Sequence, residues 1–369
     1  MAQKQTKTAF GHIEIPLQRV HIELTNICTF NCTFCPKEEM TRSYGYMDTG
    51  LAKGIIDEIK AEGICEKITF HVMGEPTLHP DFFEILDHAK AKQMQVGLTT
   101  NGASLSGAIG KRLLDYDLYQ VDVSLQTPDK ESFSQRKAGK LSFEEYVDGV
   151  LQFFAAYKPA KKDSIFKFRF LNTRFCSKEM AEKINHTRIN ASTSQLHATF
   201  NHWAGQVYDL LGVDEATKKR AIGKIRKLPV YKWNVVEVYP NVFFETYLLK
   251  TWQDASEKSS IRDALAGYCF GMRDHFAILH NGDVVLCCID FNGRTTVGNL
   301  HGSSLRQVLS SPQLGEIVEG FKKFKVVHPY CKKCLGSKSR SGQVLKPVGQ
   351  ILSMNVLKPF FYNQTSLWK

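Results

Sequence analysis

The residues with the clearest chemical potential in this sequence are its cysteines, which fall into short, spaced groups. Three of the ten, Cys28, Cys32 and Cys35, lie in one loop after a predicted strand. Three thiolates can hold three irons of a [4Fe–4S] cube, which normally has four protein ligands, so one iron would stay open. A metal centre needs such an open position when a substrate must bind it directly. The loop therefore predicts a catalytic iron–sulfur site. The alternative is a zinc site made by Cys32, Cys35 and a distant partner.

A second set of cysteines lies near the C-terminus. Cys269 and Cys287 are brought together by a predicted β-hairpin, and Cys331 and Cys334 can come from one turn. Four thiolates would complete the coordination of a cluster, so we predict one auxiliary [4Fe–4S] cluster ligated entirely by protein. A structural zinc site is the alternative. Cys288 should point to the opposite face of its strand. Three roles stay open for Cys288: a buried small residue, a hydrogen-atom donor, or the cluster ligand in place of Cys287.

The elements that must position these groups alternate between apolar β-type runs and segments of helical period. Strands are predicted at 20–24, 67–72, 95–99, 120–125, 165–171 and 235–239, and helices at 51–61, 82–92, 105–114 and 143–157. This alternation is typical of β–α units around a parallel sheet. We therefore predict an α/β fold, a partial (β/α)6 TIM-like barrel. A small C-terminal module follows it, made of a β-hairpin, with strands at 276–280 and 283–288, and a helix.

The same patterns divide the chain into four regions. Residues 1–176 carry the first five strands of the core, and residues 177–264 carry the sixth strand and an insertion that caps or shapes the active site. Residues 265–336 form the auxiliary cluster module. Residues 337–369 form a basic tail, which we expect to pack on the barrel.

The first cysteine loop resembles that of the radical S-adenosylmethionine superfamily, in which three residues separate the first two cysteines and two residues separate the last two. Cys28, Cys32 and Cys35 match this spacing. The resemblance implies that the amino and carboxylate groups of the cosubstrate's methionine chelate the open iron. It also implies that an electron from the cluster breaks a carbon–sulfur bond to give a 5′-deoxyadenosyl radical. Phe34, before the third cysteine, is expected beside the adenine.

The ends of the next strands extend the resemblance. The segment after the second strand looks like the family's Gly-Gly-Glu motif with methionine in place of the first glycine. We predict that Gly74 lets the backbone approach the ligand and that Glu75 accepts hydrogen bonds from an ammonium. Asn101 lies at the end of the third strand, on the face that carries active sites in barrel enzymes. Similar proteins use a serine of the fourth strand and an arginine twelve residues later on the cosubstrate's ribose and carboxylate, and Ser124 and Arg136 match them.

The C-terminal cysteines resemble the Twitch module, the shorter form of the SPASM extension found on many radical enzymes. The full SPASM form would add cysteines after Cys334, and none follow. The auxiliary cluster is expected to relay an electron to or from the substrate radical, or to support the structure. Asp290 is a candidate base that removes a proton from a substrate radical, although such an aspartate is usually solvated or capping. Cys288 and Cys176 are the other candidate catalytic residues.

Composition and the absence of certain segments narrow the function classes. Lys plus Arg exceed Asp plus Glu by 48 to 37, which fits an anionic substrate, although a solvated basic surface explains it as well. No apolar run is long enough to cross a bilayer, so we expect a cytoplasmic protein without a transmembrane segment. Only a short stretch precedes the first predicted strand, so we expect no domain that binds a leader peptide there, which counts against a peptide substrate although some maturases lack such a domain.

The preferred functional prediction is an enzyme that abstracts a hydrogen atom from a hydroxylated or anionic small molecule, with dehydrogenation or epimerisation as the outcome. It would use an external electron donor such as flavodoxin or ferredoxin. One alternative is a maturase of peptide or protein side chains. The other is a noncatalytic iron–sulfur or zinc protein that binds nucleic acid, which would not need Phe34, Glu75, Ser124 and Arg136 in register with the cysteine loop.

Overall fold

A large mixed sheet organises the chain in a computed structural model that describes residues 7–249 and 261–352. Its strands pair in the order β12-β11-β10-β3-β4-β5-β6-β7-β9-β8, and β1 and β2 form a separate two-stranded sheet. The strands are β1 (Thr8–Phe10), β2 (Ile13–Ile15), β3 (Arg19–Ile22), β4 (Lys67–Phe70), β5 (Gln95–Thr100), β6 (Gln120–Gln126), β7 (Ile165–Asn172), β8 (Val235–Tyr239), β9 (Val242–Leu248), β10 (His275–Ile278), β11 (Asp283–Val285) and β12 (Thr296–Asn299).

Helices lie between the parallel strands and after the last hairpin. They are α1 (Thr49–Ala61), α2 (Phe82–Ala91), α3 (Ala108–Leu113), α4 (Lys130–Phe133), α5 (Phe143–Ala160), α6 (Lys178–Lys183), α7 (Thr193–Leu211), α8 (Glu215–Ile225), α9 (Leu305–Leu309), α10 (Pro312–Lys322), α11 (Pro329–Leu335) and α12 (Arg340–Leu352). Their starts are encoded locally: Asp48 accepts a hydrogen bond from the first turn of α1, and Ser142 with Glu145 forms a capping box on α5. No helix of the described residues is long and apolar enough to span a membrane.

Strands β3, β4, β5, β6, β7 and β9 run parallel to their neighbours in the series, and the predicted α/β fold class is confirmed. Successive side chains of a strand point to opposite faces. In β6, Val121 and Val123 are buried in the apolar core that the sheet shares with the helices, whereas Gln120 and Asp122 lie on the other face. We call the space enclosed by that second face the lumen. Because parallel strands end at one edge, the loops after them meet above the lumen.

The sixth barrel strand lies seven residues later than the sequence predicted. The predicted strand at 235–239 is β8, which pairs antiparallel with β9 at the sheet edge. The sixth parallel strand is β9, which pairs with β7. Both segments are apolar β-type runs, and Asn241 joins them in a left-handed conformation at φ 59°. The spacing of apolar residues in a β-type run does not encode the direction of the strand. The sequence pattern therefore could not distinguish the antiparallel strand β8 from the parallel strand β9.

The predicted insertion contributes to two parts of the molecule. Helix α7 belongs to the outer helix layer, because the ring of Trp203 lies 6.2 Å from Phe168 and 5.8 Å from Phe170 of β7. By contrast, Ile184 and Ile189, which follow α6, pack in the same cluster as Phe34 and cover that side of the cysteine loop. The part of the insertion at 250–260 lies outside the described residues.

The C-terminal module is joined to the barrel through its first strand. Strand β10 pairs parallel with β3, and β11 turns back antiparallel to β10 through Gly282, whose φ is +82°. Helix α12 contacts this module: Lys346 Nζ donates a hydrogen bond to the carbonyl oxygen of Gly336 at 2.7 Å. The remainder of the predicted tail, residues 353–369, lies outside the described residues.

A buried ion pair ties the barrel to this module. The fully buried Glu23 carboxylate accepts from both terminal nitrogens of Arg42, at 2.8 and 2.9 Å, and from the backbone N–H of His280 at 3.0 Å. Burial alone would raise the pKa of Glu23. The hydrogen bond with the His280 side chain and the charge of Arg42 outweigh burial and lower that pKa. Glu23 therefore acts as a charged link between the β3 end and the β10 end.

Replacement of Glu23 tests this link. We expect Glu23→Ala to lower the free energy of unfolding by about 3–5 kcal/mol, because it leaves the buried Arg42 charge unpaired. Because the native pKa of Glu23 is lowered, its stabilisation is present above the ordinary carboxyl pKa and is lost as the pH falls through the native value. Urea unfolding of both proteins at several pH values measures the effect. Glu84→Ala, in an exposed pair with Lys53, is the control and should cost at most about 1 kcal/mol. Equal costs for the two variants would contradict the account.

Candidate active site

The loop after β3 places three thiols at the edge of the sheet where the parallel strands end. Cys28, Cys32 and Cys35 line one cavity, which we call the cluster cavity. The Cys35 backbone N–H donates to the Cys32 carbonyl at 3.1 Å, and the backbone N–H of Thr33 donates to the Gln135 carbonyl at 2.9 Å. The spacing of the cysteines thus becomes a compact turn that is anchored to the segment after β6.

The environment of these thiols fits a cationic cluster with one open position. Burial, together with the neighbouring Cys32 and Cys28, raises the pKa of the Cys35 thiol to about 12. Burial also raises the pKa of Cys28, with Glu75 and Cys32 adding to the effect. Iron between the sulfurs would offset this mutual repulsion. Among the described residues, no fourth cysteine lines the cavity.

The other walls of the cluster cavity come from the ends of four strands. They include His71, Val72, Met73 and Gly74 after β4, Thr99, Thr100 and Asn101 at β5, Ser124 and Gln126 in β6, and Leu171 in β7. Two buried polar atoms at this wall, Gln126 Oε1 and Arg136 Nε, have no hydrogen-bond partner among the described residues. Buried polar atoms are normally paired, so both atoms fit a polar ligand such as S-adenosylmethionine.

Arg136 fixes the ends of two strands. It is 1% exposed, and its guanidinium lies 4.6 Å from the centre of the Phe30 ring. One terminal nitrogen donates to the carbonyl oxygens of Ser124 and Leu125 at 2.7 and 2.5 Å, and the other donates to that of Asn101 at 3.4 Å. Nε has no partner among the described residues, and the second terminal nitrogen has one further N–H, so these two donors are left to reach a ligand. The role of Arg136 on the cosubstrate's carboxylate stays a prediction, and the observed contacts give it a positioning role.

Glu75 lies beneath the cavity wall and organises the end of β5. Its buried carboxylate accepts from the backbone N–H of Asn101 at 2.6 Å, from the Thr100 hydroxyl at 2.9 Å and from the Thr77 hydroxyl at 2.8 Å. Burial raises its pKa, although these hydrogen bonds oppose the effect. The Asn101 side chain in turn donates to Cys28 Sγ at 3.3 Å. Glu75 therefore positions a thiol through Asn101, and its predicted bond to an ammonium stays a prediction.

Gly74 occupies a point where only a glycine fits. Its φ is +72°, and a Cβ atom there would lie 2.4 Å from the Thr25 carbonyl oxygen and 2.7 Å from that of Ile27. Val72, two residues earlier, adopts φ 109° although it is not a glycine. The methionine that replaces the first glycine of the motif is buried, and its N–H donates to Glu23 Oε1 at 3.3 Å. The loop after β4 is thus held close to the cysteine loop.

Phe34 gives the cavity an apolar wall. Its ring is 7% exposed and packs in a cluster with Leu171, Ile184, Ile189 and Leu249. A flat aromatic ring supported in this way is suited to stacking against a planar base. The predicted position of Phe34 beside an adenine is compatible with this geometry.

The second set of cysteines also converges on one site. Burial raises the pKa of Cys287 well above its ordinary value, and the nearby Cys269, Cys288 and Cys334 raise it further. Burial likewise raises the pKa of Cys331, with Cys269 and Cys334 contributing. The four predicted ligands are therefore electrostatic neighbours, although they come from three separate segments. Such a donor set fits a cluster with every iron bound by protein.

Cys288 faces the barrel instead. It packs against the apolar cluster that includes Val72, Met73 and Ala277, and the charges that act on it most are those of Arg19 and Arg169. Strand β11 ends at Val285, three residues before the predicted end at 288, so Cys287 and Cys288 both lie in the turn segment that follows it. The assignment of Cys287 as the cluster ligand stays a prediction.

Asp290 and Cys176 lie away from the cluster cavity. The fully buried carboxylate of Asp290 accepts from the backbone N–H groups of Arg294 and Thr295 at 3.0 and 2.6 Å and from the Thr295 hydroxyl at 2.7 Å. These bonds hold a turn next to the second cysteine set. Cys176 packs at the edge of the Phe34 cluster. Neither residue lines the cluster cavity, so their catalytic roles have no support from the geometry of the described residues.

Sequence reasoning missed a band of charged and imidazole side chains in the lumen. Arg169 of β7 bonds Asp122 of β6 at 2.6 Å and Glu245 of β9 at 3.2 Å. His71 also lines the cluster cavity, where burial lowers its pKa to about 4 and keeps the imidazole neutral. The period-2 polar positions in β6 and β7 were the available signal. Alternation does not reveal which face encloses a site.

Comparison with known proteins identifies two families. Residues 22–173 match the radical SAM superfamily, and residues 269–335 match the SPASM iron–sulfur cluster-binding domain. Together the two matches cover more than half of the chain. The second match ends one residue beyond the last cysteine of the sequence, which is consistent with a single auxiliary cluster.

Individual relatives match only in part. Mycofactocin maturase MftC of Mycobacterium tuberculosis is 35% identical over 106 residues, 28% of this chain and 26% of that protein. A probable GTP 3′,8-cyclase of Metallosphaera sedula is 27% identical over 197 residues, 52% of this chain and 57% of that protein. The chain thus spans about a quarter to just over half of these curated relatives. The crystal structure of Streptococcus suis SuiB shares the fold, with a TM-score of 0.52 and 15% identity over 84% of this chain and 69% of that chain.

Iron analysis tests the assignment of the first cysteine set. After anaerobic reconstitution with iron and sulfide, we expect about eight irons per wild-type chain and about four in the variant with Cys28, Cys32 and Cys35 all changed to Ala. Cys65→Ala is the control, because this buried cysteine belongs to neither set, no other cysteine is among the groups that shift its pKa, and the variant should leave the iron content unchanged. A triple variant that retains the full iron content would refute the assignment.

The family matches exclude the noncatalytic alternative, because radical SAM proteins of this kind are enzymes. Their cofactors are a [4Fe–4S] cluster, S-adenosylmethionine and an auxiliary iron–sulfur cluster, in agreement with the two cysteine sets and the cavity described above. The chain belongs to the radical SAM superfamily and carries a C-terminal SPASM iron–sulfur cluster-binding domain.

Proposed function

We propose that this enzyme abstracts a hydrogen atom from a hydroxylated or anionic small molecule that binds in the lumen beneath the cluster cavity. The observation that carries the proposal is that His71, Ser124 and Gln126 belong to both places: they line the cavity and stand at lumen-facing positions. Below them lie the charges of Arg169 and Asp122, which are suited to polar substrate groups. Apolar side chains would be expected there if the substrate were a hydrocarbon.

In this proposal each wall of the cavity has a separate task. Cys28, Cys32 and Cys35 hold the cluster, Phe34 supports the adenine, and the backbone at Gly74 approaches the cosubstrate. The bound cluster and S-adenosylmethionine together supply a 5′-deoxyadenosyl radical after one-electron reduction. The protein contributes orientation, since the buried bonds of Glu75, Asn101 and Arg136 fix the strand ends that meet the ligand.

His71 is the residue that we propose contacts the substrate. Its ring nitrogens have no hydrogen-bond partner within the described part of the chain, although the ring lines the cavity. With the pKa lowered to about 4 by burial, the imidazole is neutral at physiological pH and can accept a hydrogen bond from a substrate hydroxyl. This places an acceptor where a hydroxylated substrate meets the cosubstrate.

The second candidate is a maturase that modifies a peptide side chain. It is favoured by the 35% identity with mycofactocin maturase, although that match covers 28% of the chain. A peptide would have to insert one polar side chain past the cluster cavity into the lumen. The small-molecule proposal is preferred because the lumen carries its own ion-paired charges at the level of the strand centres.

The cellular setting is also a proposal. None of the ten cysteines forms a disulfide bond, and iron–sulfur clusters persist in a reducing compartment, which favours the cytoplasm. An external one-electron donor such as flavodoxin or ferredoxin would reduce the first cluster there.

Two glycine-to-alanine variants test the part of the proposal that concerns cosubstrate binding. Gly74→Ala should weaken S-adenosylmethionine binding by at least about tenfold, because the new methyl group pushes the loop away from Thr25 and Ile27. The matched control is Gly139→Ala, at φ +67°, where nothing lies within 4 Å of the added methyl group. It imposes the same backbone strain without the clash. Equilibrium dialysis on reconstituted protein gives both dissociation constants, and equal values would argue against a close approach at Gly74.

Isotope transfer tests the substrate part. With dithionite and S-adenosylmethionine, the wild-type enzyme should form 5′-deoxyadenosine and incorporate deuterium from a labelled hydroxylated or anionic small molecule. We expect His71→Asn to keep forming 5′-deoxyadenosine but to lose at least about tenfold in deuterium transfer, since a hydrogen bond that orients the substrate is gone. His88→Asn on helix α2 is the control. Deuterium arriving from a peptide instead would establish the second candidate, and absence of 5′-deoxyadenosine would reject both.

A further inference from the structure

Three potential metal ligands meet on a wall of the lumen that the proposed reaction does not use. One ligand atom each from His21, His275 and Cys288 lie within 4.8 Å of one another. None of these residues lines the cluster cavity, and none belongs to the two cysteine sets assigned above. The group is therefore a separate feature of the lumen, which we call the lumen triad.

The strand register builds this triad. In the parallel pairing of β3 with β10, His275 is opposite Arg19 and His21 is opposite Ala277, so the two imidazoles are diagonal neighbours on one face. Their ring centres are 5.3 Å apart. Strand β11 ends at Val285, and the turn that follows it brings Cys288 close to the two imidazoles. The contacts depend on backbone pairing, which holds the three side chains together.

His21 provides an independent sign that the triad takes a ligand. The residue is 7% exposed, and its Nδ1 atom has no hydrogen-bond partner within the part of the chain that the structure describes. A buried ring nitrogen is normally paired, because water is no longer present to satisfy it. The unpaired atom lies in the ring that approaches both His275 and His71, at centroid distances of 5.3 and 5.6 Å.

We propose that His21, His275 and Cys288 bind one divalent transition-metal ion, with zinc as the preferred ion. Two imidazoles and one thiolate are borderline-soft donors, which suit zinc and disfavour magnesium or calcium. A tetrahedral zinc ion with bonds of about 2.0–2.3 Å separates its ligands by about 3.5 Å. Small side-chain rotations close the gap from the present spacing. The Cys288 thiol releases its proton to solvent when the metal binds.

The surrounding charges are compatible with a bound cation. Burial raises the pKa of Cys288, and the charges of the nearby Arg19 and Arg169 oppose that effect. Asp122 and Glu245 pair with Arg169, which limits its repulsion of a metal ion. Three protein ligands leave a fourth position for water or a substrate oxygen, the arrangement of zinc sites that act on a ligand. The triad would thus add a Lewis-acid contact in the lumen.

Metal analysis of the full chain tests the proposal. The protein is first reconstituted anaerobically with iron and sulfide, then equilibrated with Zn²⁺ and desalted, and zinc and iron are measured together. We expect one zinc per wild-type chain beyond the iron of the clusters, and at least tenfold less zinc in His275→Asn and in Cys288→Ser at unchanged iron content. Cys176→Ser is the matched control and should keep its zinc. Co²⁺ in place of Zn²⁺ should give a thiolate-to-cobalt charge-transfer band that Cys288→Ser removes.

Two outcomes would overturn the proposal. Zinc binding that is equal in wild type, His275→Asn and Cys288→Ser would show that the triad holds no metal. Loss of cluster iron from Cys288→Ser would assign this cysteine to the auxiliary cluster instead. If Cys288→Ser does not fold, His275→Asn decides alone: retained zinc rejects the site and lost zinc at full iron content supports it. These readouts do not depend on the identity of the organic substrate.

Discussion

The structure depends on holding three thiols around a shared space while withholding a fourth protein ligand. Burial, with a smaller contribution from the neighbouring cysteines, raises the pKa of Cys28 and Cys35. Cationic iron between the sulfurs would therefore stabilise the thiolate forms in this loop. The rigid strand ends around the loop keep the vacant side open. Glu75 and Arg136 form hydrogen bonds with the backbone and with neighbouring groups at these strand ends. Because their polar atoms are paired in this way, the two charged residues can be buried at this edge of the sheet.

The parallel sheet carries this geometry to the rest of the molecule. Because β10 pairs with β3, the strand that leads into the first cysteine loop is adjacent to the strand that follows Cys269. The Glu23–Arg42 ion pair and the hydrogen bonds between Glu23 and His280 fix the position of the C-terminal module relative to the first cysteine loop. The auxiliary module is therefore an extension of the barrel sheet, and its distance from the cluster cavity is set by strand pairing.

Much of this could be predicted from the sequence because it is encoded over short distances. Cysteine spacing located both sets, and hydrophobic period located the strands and helices of the barrel. The direction of the 235–239 strand could not be predicted, since a hairpin and a crossover use the same apolar runs. The composition of the lumen was not predicted for a related reason: His21, Asp122 and Arg169 are far apart in sequence, and only the strand order brings them to the same lumen.

The central claim is that the methionine end of S-adenosylmethionine binds the iron that no side chain holds. The most direct test is electron–nuclear double resonance on the reduced first cluster, in a variant with the four C-terminal ligand cysteines changed to Ala, using cosubstrate labelled with ¹⁵N at the amino group and ¹⁷O at the carboxylate. The account predicts hyperfine coupling of both labels to the cluster. Reduced spectra that show no coupling from either label, with cosubstrate bound, would contradict it.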